Sequence, residues 1–175
     1  MATNLQIIES FTSSVETLNL VNIFTDKYDN YKLIASNYAN DSATTNYNVR
    51  LLDSSGNRIA DSEYDNATYI LDSNASPAEY RGEGNSLFRY FPVTNSSYNV
   101  GIGTAIDVFS PNNSSSYTFL QWQGTAWSGS KIYNYKALGV HKVAEQITGI
   151  EIVANSGTMS GFNVAVYGVK WWQVL

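Results

Sequence analysis

The chain has 175 residues, a formal net charge of −5 and no cysteine. This length suits one domain that spans residues 1–175. Without cysteine the fold has no disulfides and no thiolate metal site. Nucleic-acid binding needs clustered Lys and Arg, and the ten basic residues here are scattered. The composition therefore argues against nucleic acid as a direct partner.

Membrane segments and leaders are not indicated either. The first residues, MATNLQIIESF, show no basic region followed by an apolar run, so we expect no signal peptide. No stretch approaches the roughly 18 apolar residues of a membrane span. Only 14% of the residues are charged, against about 25% in ordinary soluble domains. Such a surface is typical of proteins that are covered by neighbours or that work outside the cell.

Short apolar-alternating runs follow one another along the whole chain, as half-buried strands do. The segment Ala75–Glu83 looks irregular, and Pro77 is the one place where a helical turn is expected. About nine to eleven strands separated by turn residues predict an all-β fold, an antiparallel β-sandwich or jelly roll. Before the C-terminal stretch the main strand predictions are Leu5–Ser10, Val15–Phe24, Tyr31–Tyr38, Asn46–Leu52, Tyr69–Leu71, Leu87–Val93, Tyr98–Phe109, Tyr117–Gln123 and Ile132–Val140.

The C-terminal stretch 147–174 contains two further alternating runs. The first places Ile150 and Ile152 on one face and Glu151 on the other. The second places Phe162, Val164 and Val166 on one face. Because a Gly- and Ser-rich segment joins the two runs, we predict that they pair as neighbouring strands of a hairpin.

Catalytic and metal-binding patterns are weak. Asp61, Glu63 and Asp65 alternate, so on an extended segment they would point the same way and offer oxygen ligands to Ca²⁺. They lack the EF-hand pattern, and a solvated polar edge explains them better. His141 is the only histidine, which excludes multi-histidine zinc sites and indicates a core or surface role. We therefore expect no catalytic residues, no metal and no cofactor.

Two tryptophans are candidates for ligand binding. Trp122 in QWQ and Trp127 in TAWSG are flanked by amides and small polar residues, which suits stacking on a sugar ring. The alternative is that Trp122 belongs to the core and Trp127 caps the sandwich.

The C-terminal residues suggest an interface. If the last strand continues, Trp172 shares a face with Phe162, Val164 and Val166, and Trp171 shares the other with Tyr167. A single core buries only one apolar face, so one tryptophan is left for a neighbouring subunit. Trp171, Trp172 and Tyr167 are thus candidate interface residues. In the alternative, the chain turns after Lys170 and both tryptophans pack on their own domain.

Several short motifs resemble a family. The opening resembles the NI…YxxYKL pattern of small β-sandwich virion proteins of tailed bacteriophages, especially marine and cyanobacterial ones. The ending resembles their ITGI…SG…G…LYG[IV]K pattern. The matching residues are Asn22-Ile23, Tyr28, Tyr31-Lys32-Leu33, Ile147–Ile150, Ser156-Gly157 and Tyr167–Lys170.

The resemblance implies a non-enzymatic structural role in the virion, assembled in the host cytoplasm. It favours a capsid decoration (cement) protein or tail accessory protein that contacts the major capsid or a tail protein and forms a homotrimer. The alternative is the tip of a tail fibre that recognises a host-surface glycan. A glycosidase is disfavoured, because no pattern singles out two carboxylates beside a cleft.

Overall fold

The computed structural model describes residues 5–40, 47–91, 103–127 and 130–169. Within these residues the secondary structure consists of fourteen β-strands, and every paired strand is antiparallel to its neighbour. The predicted all-β antiparallel sandwich is therefore confirmed. No helix in the described part of the chain is long and apolar enough to cross a membrane.

The strands form three sheets. An eight-stranded sheet has the order β1-β14-β3-β9-β10-β11-β6-β7, a four-stranded sheet the order β2-β12-β5-β8, and β13 pairs with β4 alone. The strands are β1 Leu5–Ser13, β2 Thr17–Leu20, β3 Asn30–Ser36, β4 Ala39–Asn40, β5 Tyr47–Leu52, β6 Tyr64–Asp72, β7 Ala75–Asn85, β8 Phe88–Phe91, β9 Gly103–Phe109, β10 Thr118–Trp127, β11 Ile132–His141, β12 Gly149–Ala154, β13 Met159–Ser160 and β14 Phe162–Val169.

The core lies between the two larger sheets, and aromatic side chains join them. On β10 of the eight-stranded sheet, Trp122 stacks on Phe91 of β8 with ring centroids 4.7 Å apart and planes 12° apart. Phe88, also on β8, approaches the same indole at 6.0 Å. Alternation along β10 explains this, because residues of one parity face inward. Trp122 is 2% exposed.

Two buried tyrosines tie turns to this core, because their hydroxyls find backbone acceptors. Tyr31 donates to the carbonyl of Thr25 at 2.7 Å, and Tyr64 to that of Ile59 at 3.0 Å. A hydroxyl buried without a partner costs free energy, so these bonds let large amphipathic side chains fill the core.

Three local predictions are wrong. β12 and β14 do not form a hairpin: β12 lies in the four-stranded sheet and β14 in the eight-stranded one. Ala75–Glu83 is neither irregular nor helical but belongs to β7, an edge strand, where the missing N–H of Pro77 is tolerated. The strand predicted over Tyr117–Gln123 does not end at Gln123, because β10 continues to Trp127.

Glu151 occupies the face opposite Ile150 and Ile152, yet it is 4% exposed. Its carboxylate accepts a hydrogen bond from Arg50, its cross-strand partner, at 2.7 Å. The pairing compensates the burial of both charges, so this strand has two buried faces.

Candidate functional site

The outward face of the eight-stranded sheet carries its side chains in continuous rows. Strand register makes these rows, because paired residues on neighbouring strands point to the same side. One row crosses all eight strands in the order Ile7, Tyr167, Lys32, Asp107, Gln121, Leu138, Ala67 and Arg81. The next row contains Ser10, Ala165, Ile34, Ala105, Gln123, Lys136, Tyr69 and Glu79.

A groove of about 680 Å³ runs along the middle of these two rows. It extends from Lys32 on β3 to Arg81 on β7. Five strand spacings separate these two strands, which amounts to about 24 Å. The groove therefore has the length of an extended ligand rather than of a compact one.

Charges in the groove are mostly paired. Lys32 contacts Asp107 at 2.5 Å, and Arg81 contacts Glu79 at 2.9 Å. Lys136 makes no ion pair with any described residue. Three cations against two carboxylates leave a net charge of +1 on the groove of a protein whose net charge is −5.

The centre of the groove offers polar groups that are not engaged within the described part of the chain. The amides of Gln121 and Gln123 project two residues apart on β10, and neither forms a hydrogen bond with a described residue. Tyr69 lies across β11 from Gln123, beyond Lys136, and is 41% exposed. The exposed ring lies next to the ammonium group and two strand spacings from the amides. A ring face offers stacking, and amides and ammonium groups offer hydrogen bonds to hydroxyls.

The two predicted tryptophans do not form one site. Trp122 borders the groove floor, but its indole is buried in the core, as the alternative interpretation holds. Trp127 lies at the end of β10, partly buried, on the same side as Gln121 and Gln123. It is four residues beyond Gln123, about 13 Å along the strand, and it does not line the groove.

Of the three candidate interface residues, the structure describes only Tyr167. Tyr167 lies on the outward face, between Ile7 and Lys32, and is partly buried. Trp171 and Trp172 lie outside the described residues, so the predicted interface there stays a prediction.

The acidic trio does not form a joint site. Asp65 contacts Lys142 at 2.8 Å, whereas Glu63 contacts the buried His141 at 3.1 Å. Asp61 is exposed beside them.

Gln121, Gln123, Lys136 and Tyr69 were not predicted as a group. Alternation in YTFLQWQ already separates both glutamines from Trp122. Which residues of β6, β9 and β11 lie beside them depends on strand order, and nothing within one strand reveals that order.

Apolar side chains also lie on this outward face. Ile7 is 58% exposed, Phe119 48% and Leu138 58%. Phe119 and Leu138 lie on the neighbouring strands β10 and β11, whereas Ile7 lies on the edge strand β1, four strand spacings from β10.

No protein-family model matches this sequence, and no curated protein matches it. Among solved structures, the chain is similar to an exo-inulinase from Aspergillus awamori, with a TM-score of 0.41 and 14% identity. The match covers 94% of this chain and 29% of the exo-inulinase chain. The chain thus spans less than a third of that protein's length.

Proposed function

We propose that this protein is a non-enzymatic saccharide-binding component of a tailed-bacteriophage virion, of the kind that a tail-fibre tip presents to the host surface. The observation that carries the proposal is the groove on the eight-stranded sheet, with its exposed tyrosine and with two amides and a lysine that no other described residue engages. The motifs shared with small phage virion proteins support the setting. The net positive charge of the groove favours a glycan that carries acidic groups.

The carboxylates of the groove support a binding role rather than hydrolysis. Asp107 and Glu79 each form an ion pair, with Lys32 and Arg81 respectively. They stand on β9 and β7, four strand spacings or about 19 Å apart. Glycosidases hold their two carboxyl groups roughly 5–9.5 Å apart.

The proposal is tested on an array of host-surface polysaccharides. We expect saturable binding that Tyr69→Ala weakens by at least about tenfold, equivalent to about 1.4 kcal/mol. Lys136→Gln should weaken binding of acidic glycans and lower its salt dependence. Tyr117→Ala is the matched control, because Tyr117 is 46% exposed and lies away from the groove. If no glycan binds, or if both tyrosine variants behave alike, the proposal is wrong.

The exposed apolar residues favour a second candidate: a decoration or tail accessory protein that packs this face on the capsid or on a tail protein, as a homotrimer. In that case Phe119→Ser should reduce incorporation into particles while the protein stays folded. Val21→Ser is the control, because Val21 is 47% exposed and lies just after β2 of the other sheet. Normal incorporation of the Phe119 variant, or a monomeric protein in sedimentation, would contradict this candidate.

A further inference from the structure

Away from the groove, three ligand-forming side chains converge at one end of the eight-stranded sheet. Glu63 precedes β6, His141 ends β11, and Glu145 lies in the following loop. The pairing of β11 with β6 brings His141 and Glu63 together. His141 pairs with Tyr64, and the Lys142 amide donates to the carbonyl of Glu63 at 2.9 Å. Residues 78 positions apart in sequence thus meet through strand pairing.

The geometry of the three groups suits a shared cation. Nε2 of His141 lies 3.1 Å from a Glu63 oxygen and 3.5 Å from a Glu145 oxygen. All three donor atoms are within 4.8 Å of one another. Around a tetrahedral zinc ion with bonds of about 2.0–2.1 Å, neighbouring ligand atoms are about 3.3–3.4 Å apart. The two nitrogen–oxygen distances bracket that spacing, and only the two carboxylates need to approach each other.

Within the described part of the chain, no Lys or Arg compensates the two carboxylates of this cluster. With a neutral imidazole the three groups carry two negative charges. Among the described residues no Lys or Arg forms an ion pair with Glu63 or Glu145, and the nearby Lys142 is engaged by Asp65. The Glu63 and Glu145 side chains are about one third exposed, at 31% and 34%, so water can complete a coordination shell.

A second observation comes from the far side of the imidazole. His141 is fully buried, and its Nδ1 has no hydrogen-bond partner among the described residues. Thr118, its cross-strand partner on β10, is also fully buried, and its Oγ1 likewise has no hydrogen-bond partner in the described part of the chain. Cross-strand pairs hold their Cβ atoms about 4.5–5.5 Å apart. The two atoms do not hydrogen-bond to each other in this structure, so Oγ1 of Thr118 would have to approach Nδ1–H when Nε2 binds a metal. Metal-binding histidines ordinarily donate their other ring N–H to such an acceptor.

We propose that Glu63, His141 and Glu145 bind a divalent first-row transition metal, with Thr118 orienting the imidazole. Imidazole nitrogen together with carboxylate oxygen suits Zn²⁺ or Mn²⁺ better than Ca²⁺, which takes six to eight oxygens. Zn²⁺ is the probe ion for the tests.

Metal binding is measured by calorimetric titration of the full chain with Zn²⁺, after removal of any affinity tag. We expect one saturable site, weakened at least about tenfold by Glu63→Gln and by Glu145→Gln. Asp61→Asn is the matched control, because it removes a neighbouring carboxylate outside the cluster and should leave affinity unchanged. The absence of a saturable site, or equal losses in all three variants, would overturn the proposal.

A second readout monitors the imidazole itself, since His141 is the only histidine of the chain. Without metal, the hydrogen bond to Glu63 requires a proton on Nε2, because a carboxylate oxygen only accepts. Zn²⁺ should move that proton to Nδ1, and nitrogen NMR reports the change of tautomer from a single ring. An unchanged tautomer at saturating Zn²⁺ would sink the assignment.

The role of Thr118 has its own test. Thr118→Val keeps the shape but removes the acceptor, so Zn²⁺ affinity should fall by about 10–100-fold, and Thr118→Ser should restore it. Unaltered affinity in the valine variant would remove Thr118 from the site.

Discussion

Asp53 organises a turn through its carboxylate, and this role makes the stability of the turn depend on pH. The carboxylate accepts hydrogen bonds from the backbone amides of Asn57 at 2.9 Å and Ser55 at 2.8 Å. These bonds hold the pKa of Asp53 below its usual range, and the bond from the Asn57 amide has the largest effect. A lowered pKa in the folded state means that the stabilisation is present at neutral pH and is lost as pH falls through the folded-state pKa.

We therefore expect Asp53→Ala to lower the free energy of unfolding by on the order of 1 kcal/mol at neutral pH. The loss should shrink as the solution is acidified below about pH 4. Urea unfolding across this range measures both effects. Asp26→Ala is the comparison, because the Asp26 side chain makes no hydrogen bond with a described residue. If the two variants lose stability equally at every pH, the turn does not depend on this carboxylate.

At the scale of the element, a glycine allows two strands of the four-stranded sheet to approach each other closely. A Cβ added at Gly149, the first residue of β12, would lie 2.2 Å from the backbone oxygen of Leu20. The adjacent pair, Ile150 with Leu20, belongs to the ladder between β12 and β2. Relief would therefore require the strands to separate.

Gly149→Ala should destabilise the protein by at least about 1–3 kcal/mol, measured by urea denaturation. The matched control is Gly103→Ala, also at the start of a strand, where the nearest atom to the new Cβ is a backbone oxygen at 3.8 Å. We expect that control to stay within about 0.5 kcal/mol of the parent protein. Similar losses at both positions would show that strand propensity, and not close approach, sets the cost.

At the scale of the whole molecule, the aromatic contacts between sheets predict one cooperative unfolding transition. Buried residues of both larger sheets belong to one continuous cluster. Within it, Trp122 of β10 meets Phe88 and Phe91 of β8. Removal of Trp122 takes away the largest side chain at this contact.

We expect Trp122→Ala to cost about 3–5 kcal/mol, with far- and near-ultraviolet circular dichroism changing together. Trp127→Ala, on the same strand but partly exposed, should cost less than half as much. Two separate transitions in the parent protein would mean that the sheets unfold independently.

Alternation along single strands was readable from the sequence, because the period of two is a property of the strand itself. It correctly predicted the all-β sandwich and the inward positions of Phe162, Val164 and Val166, which are at most 2% exposed. It also separates Trp122 from Gln121 and Gln123. β7 was missed because Pro77 and two glycines disfavour a strand locally, whereas pairing with β6 stabilises it at the sheet edge.

Only the tertiary structure decided which strands become neighbours. The sequence cannot distinguish a hairpin of β12 and β14 from a crossover between sheets, because both bury the same faces of the two runs. The burial of Glu151 depends on Arg50 of β5, and the groove on the order β3-β9-β10-β11-β6-β7. The meeting of Glu63, His141 and Glu145 has the same cause: long-range pairing sets these contacts, and local patterns contain no information about it.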